Sequence, residues 1–434
     1  MRVMPENLSE DGRRLAGNFF SLSAMQGIGY LAYLLTLPYL VRVLGAERFG
    51  LVMFAQSLIQ YFILLTDYGF SYSATREISV HRGDRRKVDE IFSSVMLIKT
   101  AMMMLSFAVM CAVVFGFDKF RADRWVYILT FGMVCGNVLL PVWLFQGMEK
   151  IKHLAFFNVL ARLVFSVSVF IFIRKSADYI YVPLFNSLGL IISGALSMII
   201  AFGSIGIRFR IPAPGQIRFQ FREGWHIFIS SMAASVFNAS DTFILGLLAG
   251  NVTVGYYSAG LKISRILQRL FEPFFQTIYP YISKRASESR QAAILFMRRT
   301  IIIVGTPVFL ISCLMFLLAP EISDLVLGSA FKGSIPVIRT LAFLPFVSLL
   351  GNFFGTQTML NFGYQKDLSR ILITAGILNI ILAVSLVAPL KQTGMSFALL
   401  TTETFIACAT FLFLQKKNIS LVRLRNFSME AEQE

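Results

Sequence analysis

Apolar residues in this chain come in blocks of about twenty, separated by short stretches where charged and turn-forming residues gather. Blocks of that length match the roughly 20 residues that a helix needs to cross a bilayer's hydrocarbon core. Twelve helices are predicted, at about residues 15–40, 49–70, 93–116, 126–147, 154–173, 180–203, 225–249, 254–282, 300–318, 335–361, 369–389 and 394–414. The first block is longer than a signal-peptide core and lacks a small-residue cleavage pattern, so it reads as a retained span. The expected fold class is an all-α polytopic membrane protein.

Composition agrees with this pattern, since 56% of the 434 residues are hydrophobic and only 15% are charged, against about 25% charged in soluble domains. The net charge of +16 would point to nucleic acid in a polar chain, but here its distribution gives another reading. Lysine and arginine gather in alternate loops, 25 on the side of the N-terminus against 9 on the other, with 6 inside spans. Cytoplasmic loops are enriched in these residues, so both termini are expected in the cytoplasm, and no nucleic-acid partner is expected. Attraction to anionic membrane lipids follows as a by-product. No GxxxxGK[ST] phosphate loop is present, and the outward loops are short. Cys111, Cys135, Cys313 and Cys408 stand singly in apolar runs, so neither a disulfide framework nor a metal site is expected. His81 and His153 read as surface residues in charged loops. No cofactor is expected.

Two patches suggest an internal repeat. Leu44-Gly45-Ala46 with Phe49-Gly50 pairs, at an offset of 205, with Ala249-Gly250-Asn251 and Val254-Gly255, and the same offset sets Asp67 opposite Glu272. Gly147-Met148-Glu149-Lys150 pairs with Gly363-Tyr364-Gln365-Lys366 at an offset of 216. Six spans per half is an even number, so both halves enter from the same side, a parallel repeat around a central cavity. The expected organisation is a six-helix lobe over 1–203, a cytoplasmic linker over 204–224, a second six-helix lobe over 225–414, and a cytoplasmic tail over 415–434.

Ionisable residues inside spans are the strongest functional signal, because each costs about 2.5–3.5 kcal/mol at a helix centre on insertion scales. Lys262, Arg265, Arg269 and Glu272 are spaced three, four and three apart, which at about 100° per residue puts them on one helix face. Arg162, Asp241, Glu403 and Asp67 complete the candidate set, whereas Lys99 and Arg339, nearer span ends, are expected to snorkel to the interface. One reading is that these groups only pair with one another, for instance Arg269 with Glu272. The other is a hydrated cavity whose excess of bases suits a phosphate or pyrophosphate, which arginine binds through two parallel hydrogen bonds.

Asn18, Gln26, Pro38-Tyr39-Leu40, Leu44-Gly45-Ala46, Phe49-Gly50, Asp67-Tyr68-Gly69-Phe70 and Arg76-Glu77, followed by Trp143-Leu144-Phe145-Gln146-Gly147 and Glu149-Lys150, resemble the polysaccharide-repeat flippases of the multidrug/oligosaccharidyl-lipid/polysaccharide exporter superfamily. The resemblance implies two six-helix lobes that rock about a hydrated cavity. It also implies an undecaprenyl-pyrophosphate-linked oligosaccharide as substrate, for O-antigen, capsule or exopolysaccharide synthesis, and a polysaccharide polymerase and chain-length regulator as partners. The competing readings are a small-molecule or cation exporter of the same superfamily, for which acidic cavity groups are expected, and a membrane-embedded polymerase or glycosyltransferase.

The charge asymmetry makes a direct prediction. Reporter fusions after residues 80, 215 and 425 should signal cytoplasm, and fusions near 120 and 328 should signal periplasm. A periplasmic signal at 215 would exclude both the twelve-span count and the parallel repeat.

Overall fold

The computed structural model describes residues 7–421, and the side chains of all of these except 7–33, 226, 230–239 and 273. Among the described residues every regular element is helical. Hydrocarbon offers no partner to an exposed N–H or C=O, so a spanning segment must satisfy its own backbone. Among the described residues eight stretches are long and apolar enough to cross a membrane: Leu34–Val80, Arg85–Gly116, Arg124–Gly147, Ile151–Phe172, Ser176–Ile205, Arg290–Leu317, Ser329–Met359 and Gln365–Lys416.

The chain divides into two units, Met1–Gly255 and Tyr256–Glu434. The first contains α1 (Asn7–Asp67), α2 (Phe70–Val80), α3 (Arg85–Gly116), α4 (Asp118–Arg121), α5 (Arg124–Leu139), α6 (Val142–Gly147), α7 (Ile151–Phe172), α8 (Tyr181–Ile200) and α9 (Pro214–Ala249). It also takes the first residues of α10 (Asn251–Glu288). The second holds the rest of α10 with α11 (Arg290–Leu317), α12 (Ala319–Ile322), α13 (Ile335–Leu341), α14 (Leu344–Asn352) and α15 (Gln365–Lys416).

Within the first unit α1 has 61 residues, which would reach roughly 90 Å if straight, about three times the hydrocarbon thickness. It breaks at Gly45, where φ 72° and ψ 173° lie in a region open essentially to glycine alone. The same backbone recurs at Gly250, φ 82° and ψ 174°, between α9 and α10. Next to these breaks the two helices cross at contact distance. A Cβ on Gly50 would overlap the Asn251 carbonyl oxygen, and one on Gly255 would overlap the Ala46 carbonyl oxygen. The contact is reciprocal, because Ala46 and Gly50 stand 205 residues before Asn251 and Gly255.

The second patch of sequence similarity is equivalent in backbone at a different register. Met148, Glu149 and Lys150 N–H donate to Leu144, Gln146 and Phe145 carbonyls; Phe362, Gly363 and Tyr364 N–H donate to Thr358, Leu360 and Met359 carbonyls. Glu149 (φ 57°) and Gly363 (φ 83°) are both left-handed. The two turns match in backbone at an offset of 214, two residues from the sequence match at 216. Glu149 takes up a conformation that glycine favours, at about 1–2 kcal/mol for an L-residue.

α9 packs on α1, α2 and α3, and the preceding segment is fixed rather than slack. Arg208 N–H donates to Asp89 Oδ1 at 2.9 Å, Arg210 Nε to Asp89 Oδ2 at 3.3 Å, and Arg210 N–H to Ser93 Oγ at 2.9 Å. At the other end of α9, Lys119 Nζ donates to the Gly246 and Leu247 carbonyls at 2.7 and 2.8 Å, capping a helix terminus whose last carbonyls have no partner within the helix. Burial lowers the Lys119 pKa from its ordinary value.

In the second unit, Ile282, Met297, Val308, Phe353, Met359 and Leu414 form a buried core. The predicted span 335–361 is in fact α13, α14 and a π-helical stretch Phe353–Met359, with Pro345 in the first turn of α14, where a missing N–H costs nothing. α15 breaks at Lys391, φ 50° and ψ −126°.

The crossing near Gly50 yields a stability prediction. Overpacking costs about 1–3 kcal/mol, so Gly50→Ala should lower the melting temperature in detergent by several degrees. Gly83→Ala, at a glycine with open space around it, should leave it unchanged. Equal melting of the two variants would mean that the helix pair separates without cost.

Candidate functional site

α10 presents Lys262, Arg265 and Arg269 half-buried, and Glu272 exposed. Its charge content keeps it below the hydropathy of the eight apolar stretches, so a helix with bases on one face is held by packing rather than by apolarity all round. Arg265 is met by α15, where Glu403 lies within reach of its charge and beside Ser348. Gln268 Nε2 donates to Ser348 Oγ at 2.9 Å. Three helices thus bring Arg265, Gln268, Ser348 and Glu403 into one polar cluster.

The first unit holds the other candidates in different settings. Asp67 Oδ1 accepts from Ser71 Oγ at 2.9 Å and lies 3.6 Å from Lys99 Nζ. Lys99 is only 2% exposed, which corrects the expectation that it snorkels. It sits 14 residues into α3, roughly 21 Å along the axis at 1.5 Å per residue, and its partner is a carboxylate rather than water. Arg339, by contrast, is exposed. Asp241 is buried on α9, within electrostatic reach of Tyr61, and Arg162 is on an exposed position of α7. Asp67 and Glu272, set in register by sequence, have unlike surroundings: one faces a buried ammonium and the other is exposed.

The signature stretches of the first unit form a packing joint. Tyr68 (φ 47°) and Gly69 (φ 77°) turn the chain from α1 into α2; a Cβ on Gly69 would lie 2.8 Å from Ile227, and one on Gly224 2.9 Å from the Tyr68 carbonyl oxygen. Trp143, Leu144 and Phe145 are fully buried with Tyr68, Phe70 and Ile78. A Cβ on Gly147 would lie 2.6 Å from Ile78. Arg82 Nε donates to the Gly147 carbonyl at 3.1 Å and its Nη1 pairs with Glu149 at 2.8 Å, while Gln220 of α9 donates to Glu77. His153, read from sequence as a surface residue, is half-buried on the first turn of α7 and stacks on Phe145.

Uncharged polar residues are what the sequence pattern missed. Gln357 is 2% exposed in the π-helical stretch and donates to the Asn352 side chain and the Phe275 carbonyl, both at 3.3 Å. Gln268, Ser348, Asn352 and Gln357 carry no charge, so a search for ionisable residues inside spans passes over them. The available signal is their number, four amides or hydroxyls in segments where each unpartnered group costs free energy.

Among the described residues no group of three or more His, Cys, Asp or Glu is placed to hold a metal. The Asp67–Lys99 pair makes a prediction of its own. Removing one partner of a buried ion pair costs about 3–5 kcal/mol because a charge is left uncompensated. Asp67→Asn should therefore lower the melting temperature in detergent, and adding Lys99→Met should restore most of the loss. Unchanged melting of Asp67→Asn would mean that water, not Asp67, solvates Lys99.

Comparison with known proteins places this arrangement among membrane transporters. The chain is 30% identical over 411 residues to a candidate O-antigen transporter of Escherichia coli (strain K12), covering 93% of this chain and 98% of that one. A candidate O-antigen transporter of Shigella dysenteriae is 25% identical over 393 residues, covering 90% and 97%. The fold is shared with the lipid II flippase MurJ in an inward closed conformation, with a TM-score of 0.72, 12% identity and coverage of 92% and 89%. It is also shared with an inward-facing multidrug resistance MATE family transporter of the MOP superfamily, with a TM-score of 0.70, 14% identity and coverage of 91% and 98%. Residues 15–286 match the profile of the polysaccharide biosynthesis protein family, and together with the relative at 30% identity this match identifies the chain as a member of that family.

Proposed function

We propose that this transporter moves lipid-linked oligosaccharide repeat units, carried on undecaprenyl pyrophosphate, across the bacterial inner membrane by alternating access, for O-antigen, capsule or exopolysaccharide synthesis. The observation that carries this reading is the basic face of α10, where Lys262, Arg265 and Arg269 stand half-buried. A pyrophosphate offers several acceptor oxygens, and the planar guanidinium fork matches them two at a time. Glu403 beside Arg265 then acts as an internal counterion that the substrate displaces, so that the base is not stranded when the site is empty. An excess of bases disfavours a cationic cargo. The names of the curated relatives favour the polysaccharide pathway.

The architecture in this reading has twelve spans in two lobes related by a parallel repeat, with both termini in the cytoplasm. The matching backbone at Gly45 and Gly250 and the equivalent turns at Glu149 and Gly363 support the repeat. The breaks at Gly45 and Lys391 support counting α1 and α15 as two spans each. A polymerase and a chain-length regulator take the product on the outer side.

The test uses a strain lacking the native copy and scores surface polysaccharide at matched membrane levels. Arg265→Ala should reduce it by at least about tenfold, equivalent to roughly 1.4 kcal/mol, with lipid-linked units accumulating inside, and Arg265→Lys should retain part of the activity. Glu403→Gln should change the rate without loss of folded protein. Full activity in both Arg265→Ala and Glu403→Gln would reject a substrate role for this cluster.

A further inference from the structure

The segment that enters α9 has an architecture that the transport reading leaves unused. The apolar stretch Ser176–Ile205 ends immediately before it, so residues 206–225 begin at the depth where a span leaves the hydrocarbon. One face of the first α9 turns is fixed, with Gln220 and Gly224 buried against α2 and Tyr68. Other positions are apolar and open: Phe209, Ile211, Phe219 and Trp225 are all exposed, Ile211 by 94%. Beside them an open depression of about 600 Å³ is lined by Pro214, Ile217, Arg218, Phe221 and Arg222, all from the first turns of α9.

Arg218 and Arg222 are four residues apart, on one face of the helix, and like charges at that spacing repel. Both are exposed, and neither forms an ion pair with another of the described residues. Arg210 shows the contrast, since its guanidinium is tied to Asp89. Two adjacent guanidinium groups over an apolar floor match a group that joins a phosphate to hydrocarbon. We infer that this pocket binds the phosphate headgroup of an anionic bilayer phospholipid, with Arg218 and Arg222 on the phosphate oxygens and Ile217 and Phe221 against the start of its acyl chains. Basic residues at the membrane surface each gain attraction from anionic lipid, but that diffuse term needs no cavity. The paired guanidinium groups of Arg218 and Arg222 beside an apolar face add a defined place for one headgroup. The inference concerns lipid bound beside α9 and stands whatever cargo the protein carries.

The test is native mass spectrometry of the full-length protein released from nanodiscs of mixed phosphatidylglycerol and phosphatidylcholine, with melting curves as a control for folding. Wild type should retain one phosphatidylglycerol in preference to phosphatidylcholine. Arg218→Gln with Arg222→Gln should weaken that retention at least tenfold, while Lys366→Gln with Lys416→Gln, which removes the same charge from exposed positions elsewhere, should leave it intact. Equal retention in the Arg218/Arg222 double variant would overturn the inference. So would equal retention of the two lipids by wild type, and so would complete displacement of phosphatidylglycerol by millimolar inorganic phosphate, which would reveal a simple anion site.

Discussion

A charge placed in hydrocarbon must be neutralised, hydrated or held by a partner, and the arrangement of this protein follows from how each of its intramembrane charges meets that demand. Lys99 is held by Asp67, which is itself oriented by Ser71. Arg265 is answered by Glu403, beside Ser348, which Gln268 engages. Each solution recruits a second helix, so the polar contacts fix which helices are neighbours in a medium where apolar packing discriminates poorly between one leucine-rich face and another. The two pairs differ in a way that matters for function: the ammonium of Lys99 is sealed, whereas the basic groups of α10 are half-open.

The stretches of sequence that are most recognisable turn out to hold helices together. Asp67-Tyr68-Gly69-Phe70 reverses the chain and fits it against Gly224, and Trp143-Leu144-Phe145-Gln146-Gly147 wedges α6 onto α2. Such joints tolerate little change because they combine left-handed backbone, glycines at contact distance and a buried indole. A transport site has the opposite requirement, since its shape and charge must follow the cargo.

The helical class, the crowding of apolar blocks and the basic face of α10 were all legible in the chain, because hydropathy and a period of 3.6 residues act locally. What was not legible depends on tertiary partners. Nothing near Lys99 in sequence announces Asp67, so a lysine some 20 Å deep along its helix looked like one that reaches the interface. The likeness between the turns at Glu149 and Gly363 was not legible either, because left-handed geometry is carried by a glutamate in one and a glycine in the other. The contact between Gln268 and Ser348 escaped notice because neither carries a charge and the two stand 80 residues apart.

Connecting segments usually tolerate insertions and deletions, since their backbone faces water and their length is loosely set. The stretch from Gly206 to Pro214 has lost that freedom. Its amides are spent on Asp89 and Ser93, and the helix that follows is engaged by Glu77 and Tyr68 within its first three turns. Between those two clamps a single added residue would rotate every later contact of α9 out of phase. Evolutionary drift in this segment should therefore appear as substitution at constant length.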